Sequence, residues 1–145
     1  MSVNNARASL FVGTSVWADP VLQNISQHPA MDAYARQIRI DKRPLVTTDD
    51  VLGKLVALLT VRGIARPRLL QFVEQIMSLT HLQIVHVDEA TIHEAWELLK
   101  QRQDKTWSLV DACSFLIMRR LTITEAFTSD HHFVQAGFIR VPFQS

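Results

Sequence analysis

Short runs of apolar residues alternate along the chain with longer segments in which apolar residues recur every three or four positions. The short runs predict β-strands buried on both faces, and the longer segments predict α-helices with one buried face. Four strands are expected, at 9–12, 45–47, 82–87 and 123–128. Because strands alternate with helices, the pattern predicts an α/β fold of three layers, with helices on both faces of a mostly parallel sheet of four to five short strands.

The helices between these strands are delimited by residues that favour helix ends. Thr48 and Asp88 are expected to cap helices at 49–62 and 89–102, and Gly63 is expected to end the first of these. The helix at 89–102 is predicted to bury a face formed by Ile92, Ala95, Trp96 and Leu99. Further helices are predicted at 16–25 with a start at Asp19-Pro20, from Pro29, and at 69–79.

The stretch from Trp107 to Phe138 has the clearest local pattern. Ser108 can cap a helix, and Asp111, three residues later, can reach back to the cap amide. The helix that follows is apolar on nearly every side, which is typical of a helix buried in a layered fold. After the strand at 123–128, Asp130 is expected to cap a short helix that ends at Gly137.

The composition indicates one globular domain, 1–145. Of 145 residues 48% are hydrophobic, enough for a sizeable core. The net charge of +1 gives no global attraction to nucleic acid or to a membrane surface. The single cysteine, Cys113, excludes an internal disulfide and indicates a structural thiol in a reducing compartment, so a cytoplasmic location without membrane association is expected.

The carboxyl ends of the predicted strands are where a site is expected in such a sheet. Gly13-Thr14-Ser15, Thr47 to Asp50 and Thr128-Ser129-Asp130 follow three of the strands, and the helix start at Ser108 could join them. Asp111 and Asp130 can each be a helix cap or a metal ligand, and the two roles are compatible. The histidines form no zinc pattern, and His132 is expected to pack against the sheet or to bind backbone.

Several of these motifs together resemble the PIN domain, and specifically the VapC-type toxin ribonucleases of bacterial toxin–antitoxin pairs. The segment Trp107-Ser108-Leu109-Val110-Asp111 is followed nineteen residues later by Asp130-His131-His132-Phe133. The first strand, Phe11-Val12-Gly13-Thr14-Ser15, and the second, Leu45-Val46-Thr47-Thr48, also match. The resemblance covers essentially the whole chain and implies a three-layer PIN-like fold.

The resemblance also implies an activity, cofactors and partners. Members of the family are endoribonucleases in which three or four carboxylates hold one or two Mg²⁺ or Mn²⁺ ions, so hydrolysis of RNA, a cognate antitoxin and a homodimer are expected. In this chain the implied metal ligands are Asp111 and Asp130, and Thr14 and Ser15 are expected to line the site.

Two of the family's acids are replaced here. Gly13 stands at the first-strand acid, and Lys54 stands where a glutamate is expected in the helix after Thr47-Thr48. One hypothesis is that the Lys54 ammonium enters the pocket and takes the place of the metal, so that no cofactor is needed. A competing hypothesis is that two carboxylates suffice for Mg²⁺ and leave weak nuclease activity. A third is that the Lys54 side chain simply extends into solvent. Asp49 or Asp50 could also substitute as ligands, although compensation of the helix dipole is favoured for both.

Two classes of function therefore remain. The first is a VapC-like ribonuclease attenuated by the two substitutions. The second is a catalytically inactive PIN domain that binds RNA, binds an antitoxin or dimerises. Five basic residues could contact phosphates, although they form no continuous stripe: Arg36, Arg39, Arg62, Arg66 and Arg68.

Overall fold

A computed structural model describes residues 8–22 and 29–142 of the chain. Within these ranges the strands are β1 to β5, at Leu10–Val12, Leu45–Thr48, Leu82–Val85, Glu125–Phe127 and Ile139–Val141. The helices are α1 to α7, at Thr14–Leu22, Pro29–Ile40, Asp49–Val61, Arg66–Met77, Glu89–Gln101, Leu109–Arg120 and His132–Gln135. Among the described residues, no helix has the length and apolar character needed to cross a membrane.

The five strands form one parallel sheet in the order β3-β2-β1-β4-β5. The predicted α/β fold is therefore confirmed. The first strand lies in the middle, so the chain builds the sheet outward from β1 in both directions. Such a reversal of strand order opens a crevice at the carboxyl ends of the two strands concerned. Here those strands are β1 and β4, where Val12 lies beside Phe127.

Residues of β1 alternate between the two faces of the sheet. Phe11 packs against Phe115 of α6 and Phe133 of α7, with 5.9 Å between the ring centroids of Phe11 and Phe133. Leu10 and Val12 face the other side, where α2 covers them with Met31 and Ile38. Helices therefore lie on both faces, as the apolar strands require.

The predicted helix caps are largely confirmed. The amide of Val51 donates to the Thr48 hydroxyl at 3.0 Å, and the amide of Thr91 donates to the Asp88 carboxylate at 2.9 Å. Gly63 and Gly137 follow the ends of α3 and α7 with φ of 78° and 97°, a conformation that favours glycine.

Two helix starts differ from the prediction, and one strand was missed. Helix α1 starts at Thr14, not at Asp19-Pro20, and Pro20 lies inside it close to its end. Residues 23–25 of the predicted first helix lie outside the described residues. Helix α4 starts at Arg66, because Pro67 fits its first turn. Strand β5 was not located in the sequence, since three residues are too few for a periodic pattern.

The predicted buried face of α5 is confirmed for Ala95 and for the partly buried Leu99, and it is wrong for Ile92 and Trp96. Ile92 and Trp96 are 41% and 56% exposed, whereas Thr91 and Ala95 are buried. The Arg120 guanidinium of α6 donates to the Thr91 hydroxyl at 2.6 Å. This contact places the Thr91 side of α5 against α6 and turns the two larger side chains outward.

Candidate functional site

Two loops meet at the carboxyl ends of β1 and β4. The amide of Gly13 donates to the carbonyl oxygen of Phe127 at 3.1 Å. The Ser15 hydroxyl accepts the amide of Ser129 at 3.2 Å and lies 3.4 Å from the Thr128 hydroxyl. Ser15 therefore joins the loop after β1 to the loop after β4, and the crevice expected from the strand order lies at this junction.

A cavity of about 190 Å³ opens beside this junction. Its lining includes all six residues that the sequence analysis assigned to the site: Gly13, Thr14, Ser15, Lys54, Asp111 and Asp130. Val51, Leu58, Val110, Ser114, Thr128 and Phe133 complete it. Residues from four separate parts of the chain are thus brought together, although their roles remain predictions.

Asp111 is held at the start of α6 by the predicted capping box. Its carboxylate accepts the Ser108 amide at 2.9 Å, and its own amide donates to the Ser108 hydroxyl at 3.0 Å. The residue is only 6% exposed. A carboxylate this buried needs hydrogen bonds or a cation, and the capping box supplies one of these bonds.

Asp130 is fixed by the turn after β4. Its amide donates to the Thr128 hydroxyl at 3.0 Å, and its carboxylate accepts the amide of His132 at 2.9 Å. The prediction that Asp130 occupies the cap position of α7 was wrong by one residue, because that position is His131. The hydrogen bond to His132 nevertheless orients the carboxylate towards α6.

His132 lies between the two aspartates. Its Nδ1 atom is 3.1 Å from Oδ2 of Asp111 and 3.3 Å from Oδ1 of Asp130. One potential ligand atom from each of the three residues lies within 4.8 Å of the other two, so the group could hold a metal ion. The sequence analysis did not connect His132 with the two aspartates. The sequence signal that could have indicated this cluster is the two-residue spacing of Asp130 and His132 in a turn after a strand.

The two substituted positions face the same cavity. A side chain at Gly13 would meet the loop after β4, since a Cβ built there lies 3.1 Å from Thr128 Oγ1. Lys54 is exposed and lines the cavity, but among the described residues no ion pair joins it to either aspartate. The group in contact with both carboxylates is the His132 imidazole.

Asp49 and Asp50 have other partners. The Asp49 carboxylate accepts the Val87 amide at 3.0 Å and lies 2.6 Å from Nδ1 of His86. Desolvation opposes ionisation of Asp49, but these hydrogen bonds outweigh it and lower the pKa of the carboxyl. The hydrogen bond to Asp49 raises the pKa of His86. Neither aspartate lines the cavity, which argues against both as substitute ligands.

The cysteine is structural, as the sequence indicated. Cys113 is fully buried in α6. Burial, together with the negative charge of Asp50, raises the pKa of its thiol to about 12. A thiol of this kind is not a nucleophile at neutral pH.

A second cavity adjoins the first. It shares Ser15 and Leu58 with the first cavity and is lined further by Asp19, Arg62 and Ser129. A larger and mainly apolar cavity of about 470 Å³ lies between α1, α2 and α4, and neither Asp111 nor Asp130 lines it. The two candidate acids therefore lie in the first of the smaller cavities.

The family model for the PIN domain matches residues 10–139, a range that contains both loops and all three clustered side chains. The chain belongs to the PIN-domain family. It is similar to the 23S rRNA-specific endonuclease VapC20 of two Mycobacterium tuberculosis strains, CDC 1551 / Oshkosh and H37Rv. In each case 34% of 133 residues are identical, covering 91% of this chain and 97% of the relative.

The fold of this PIN domain is also similar to a solved structure. The crystal structure of Mycobacterium tuberculosis VapC20, described as a sarcin–ricin loop cleaving toxin, superimposes with a TM-score of 0.76 and 31% sequence identity. The match covers 90% of this chain and 96% of that one. The resemblance drawn from the motifs is confirmed at the level of the family and the fold.

Proposed function

We propose that this PIN domain is a divalent-metal-dependent endoribonuclease of the VapC type, attenuated because Gly13 and Lys54 stand where two acids are expected. The observation that carries the proposal is the cluster of Asp111, Asp130 and His132 at the carboxyl edge of the sheet, where both aspartates line the cavity. Relatives that are 34% identical over nearly their whole length are RNA endonucleases, which supports the reaction type.

The residues at this edge fit a divalent cation. Two carboxylate oxygens and one imidazole nitrogen lie within 4.8 Å of one another, and the Ser108 and His132 amides fix both carboxylates. A bound divalent ion would supply activation of water and neutralisation of charge on the scissile phosphate. The hard oxygen donors are compatible with Mg²⁺ or Mn²⁺ as the cofactor.

Lys54 acts in two opposing ways in this proposal. Its positive charge in the cavity weakens the binding of a cation, and the loss of acids at positions 13 and 54 removes oxygen ligands. The same ammonium attracts an RNA phosphate to the edge of the site. Substrate binding is therefore retained while metal binding is weakened, which is the basis of the proposed attenuation.

The proposed substrate is structured ribosomal RNA. The relatives are named as 23S rRNA-specific endonucleases and the solved neighbour as a sarcin–ricin loop cleaving toxin, and the matches cover 91% and 90% of this chain. We further propose that the protein works in the cytoplasm as a homodimer neutralised by an antitoxin, as VapC-type toxins are.

The second candidate is an inactive PIN domain that binds RNA or a protein partner. The specific observation in its favour is the position of Lys54, which gives the cavity a fixed positive charge. In this case the loops and the cavity serve binding alone.

An RNA cleavage assay tests the proposal. Native protein is incubated with a 23S rRNA fragment and Mn²⁺, beside Asp111→Asn and Asp130→Asn. Asparagine keeps an acceptor oxygen for the Ser108 or His132 amide, so both variants should unfold at close to the native temperature. We expect slow native cleavage that EDTA stops and that both variants lose. Absence of native cleavage with retained RNA binding would favour the inactive domain. Undiminished cleavage by the variants would contradict the assignment of Asp111 and Asp130 to the active site.

A further inference from the structure

We infer that His132 Nδ1 is the third metal ligand and that the site therefore selects a divalent transition ion, such as Co²⁺ or Zn²⁺, over Mg²⁺. The inference deepens the proposed nuclease function, on which it rests for the presence of a metal. It concerns the identity of the ion and can be tested without RNA.

The distances around His132 suit one shared ion. Two ligand atoms that each lie about 2.1 Å from an ion are roughly 3.0 to 3.4 Å apart at octahedral or tetrahedral angles. Nδ1 of His132 lies 3.1 Å from Asp111 Oδ2 and 3.3 Å from Asp130 Oδ1. Both separations fall within that range, and one oxygen of each carboxylate lies within 4.8 Å of the other.

The cavity that Asp111 and Asp130 line has no further carboxylate among the described residues. Gly13 has no side chain, and Lys54 is a cation. The other side-chain oxygens that line this cavity are neutral hydroxyls, those of Thr14, Ser15, Ser114 and Thr128. Mg²⁺ binds oxygen ligands and holds imidazole poorly, whereas imidazole suits zinc, nickel and similar ions. One nitrogen among three side-chain donors therefore raises the affinity of the site for a transition ion relative to Mg²⁺.

The second ring nitrogen of His132 has a partner that suits this role. Nε2 lies 3.4 Å from the Thr106 hydroxyl, in the loop that precedes α6. Histidines that bind metals commonly donate their other N–H to an oxygen, which leaves the first nitrogen free to bind the ion. His131 lies next to His132 in the chain, but it is exposed and is not part of the cluster.

These two histidines allow a matched comparison. His132→Asp and His131→Asp make the same charge change one residue apart, and only the first replaces the nitrogen ligand with oxygen. Titration calorimetry would give the affinities of native protein and both variants for Co²⁺, Zn²⁺ and Mg²⁺. Electron spin-echo spectroscopy of the Mn²⁺-loaded proteins would report a directly bound ¹⁴N nucleus.

We expect the native protein and His131→Asp to prefer Co²⁺ and Zn²⁺ over Mg²⁺ by on the order of tenfold or more. Both should show the ¹⁴N signal, whereas His132→Asp should lose the signal and bind Mg²⁺ more tightly. Equal affinities in the native protein, or a signal that survives in His132→Asp, would overturn the inference and leave the nuclease proposal standing. Failure of every divalent ion to bind would overturn both.

Discussion

Asp111 illustrates how one side chain can serve both folding and function. Its Oδ2 atom accepts the Ser108 amide that begins α6 and also lies within reach of His132. A carboxylate oxygen has more than one lone pair, so capping a helix does not prevent it from binding a cation. The two interpretations of Asp111 drawn from the sequence are thus compatible in the structure.

The loop after β4 lies close to the space that a side chain at position 13 would occupy. We predict that Gly13→Asp lowers the free energy of unfolding by about 1–3 kcal/mol, because its Cβ would lie 3.1 Å from Thr128 Oγ1. Thr128→Ser removes the γ-methyl group and so relaxes the χ1 preference of this side chain, which lets the hydroxyl oxygen shift slightly and should recover part of this loss. Chemical denaturation of the two single variants and the double variant measures the effect.

The matched control for this prediction is Gly13→Ala, which adds the same Cβ without a charge. A loss similar to that of Gly13→Asp would assign the cost to the contact with Thr128. If Gly13→Ala is neutral and Thr128→Ser brings no recovery, crowding at this position is not the cause.

At the scale of elements, one side of α3 borders both small cavities. Lys54, Leu58 and Arg62 recur every four residues and so lie along one side of the helix. Leu58 lines both joined cavities, Lys54 lines the first and Arg62 lines the second. The cations are roughly 12 Å apart along the helix, far enough to contact different phosphates of one strand.

This arrangement predicts a role for Arg62 in RNA binding. Arg62→Gln should weaken the binding of single-stranded RNA and reduce the slope of log K against log[salt] by about 0.7, as expected for one lost phosphate contact. Arg68→Gln makes the same charge change on α4, away from both cavities, and should leave the slope unchanged. Filter binding at several salt concentrations measures both slopes. Equal slopes for the two variants would contradict a phosphate contact specific to Arg62.

Helix α3 also contains a replaceable glycine. Gly53 lies in the helix interior, and a Cβ at this position meets nothing within 4 Å. Gly53→Ala should therefore raise the free energy of unfolding by about 0.5–1 kcal/mol. Gly63→Ala should lower it, because φ at Gly63 is 78°. Thermal or urea unfolding tests the pair, and a loss of stability in Gly53→Ala would indicate a packing role for this glycine.

For the whole molecule, the alternation of strands and helices was sufficient to predict the fold and the edge of the sheet that holds the site. The capping signals at Thr48, Asp88 and Ser108 placed three helix starts correctly. The capping box of Ser108 and Asp111 also predicted the position of Asp111 in the first turn of α6. These features are local in sequence, so they could be identified without knowledge of tertiary contacts.

Other features that depend on tertiary contacts were not predicted. The rotation of α5 is associated with the contact between Arg120 and Thr91, which lie 29 residues apart. His132 reaches Asp111 across 21 residues, and no helical spacing marks the pair. The crowding of Gly13 by Thr128 depends on the pairing of β1 with β4. Each of these features depends on a contact between elements that are distant in the sequence.

The most direct test of an attenuated metal site is restoration of the missing acids. The measurement is the rate of RNA cleavage with Mn²⁺ by the native protein and by Gly13→Asp/Lys54→Glu in a Thr128→Ser background, with the same variant carrying Asp130→Asn as control. We predict at least about a tenfold gain on restoration, from added oxygen ligands and removal of the Lys54 charge, and its loss in the control. A folded, RNA-binding restored variant that cleaves no faster than the native protein would contradict the account.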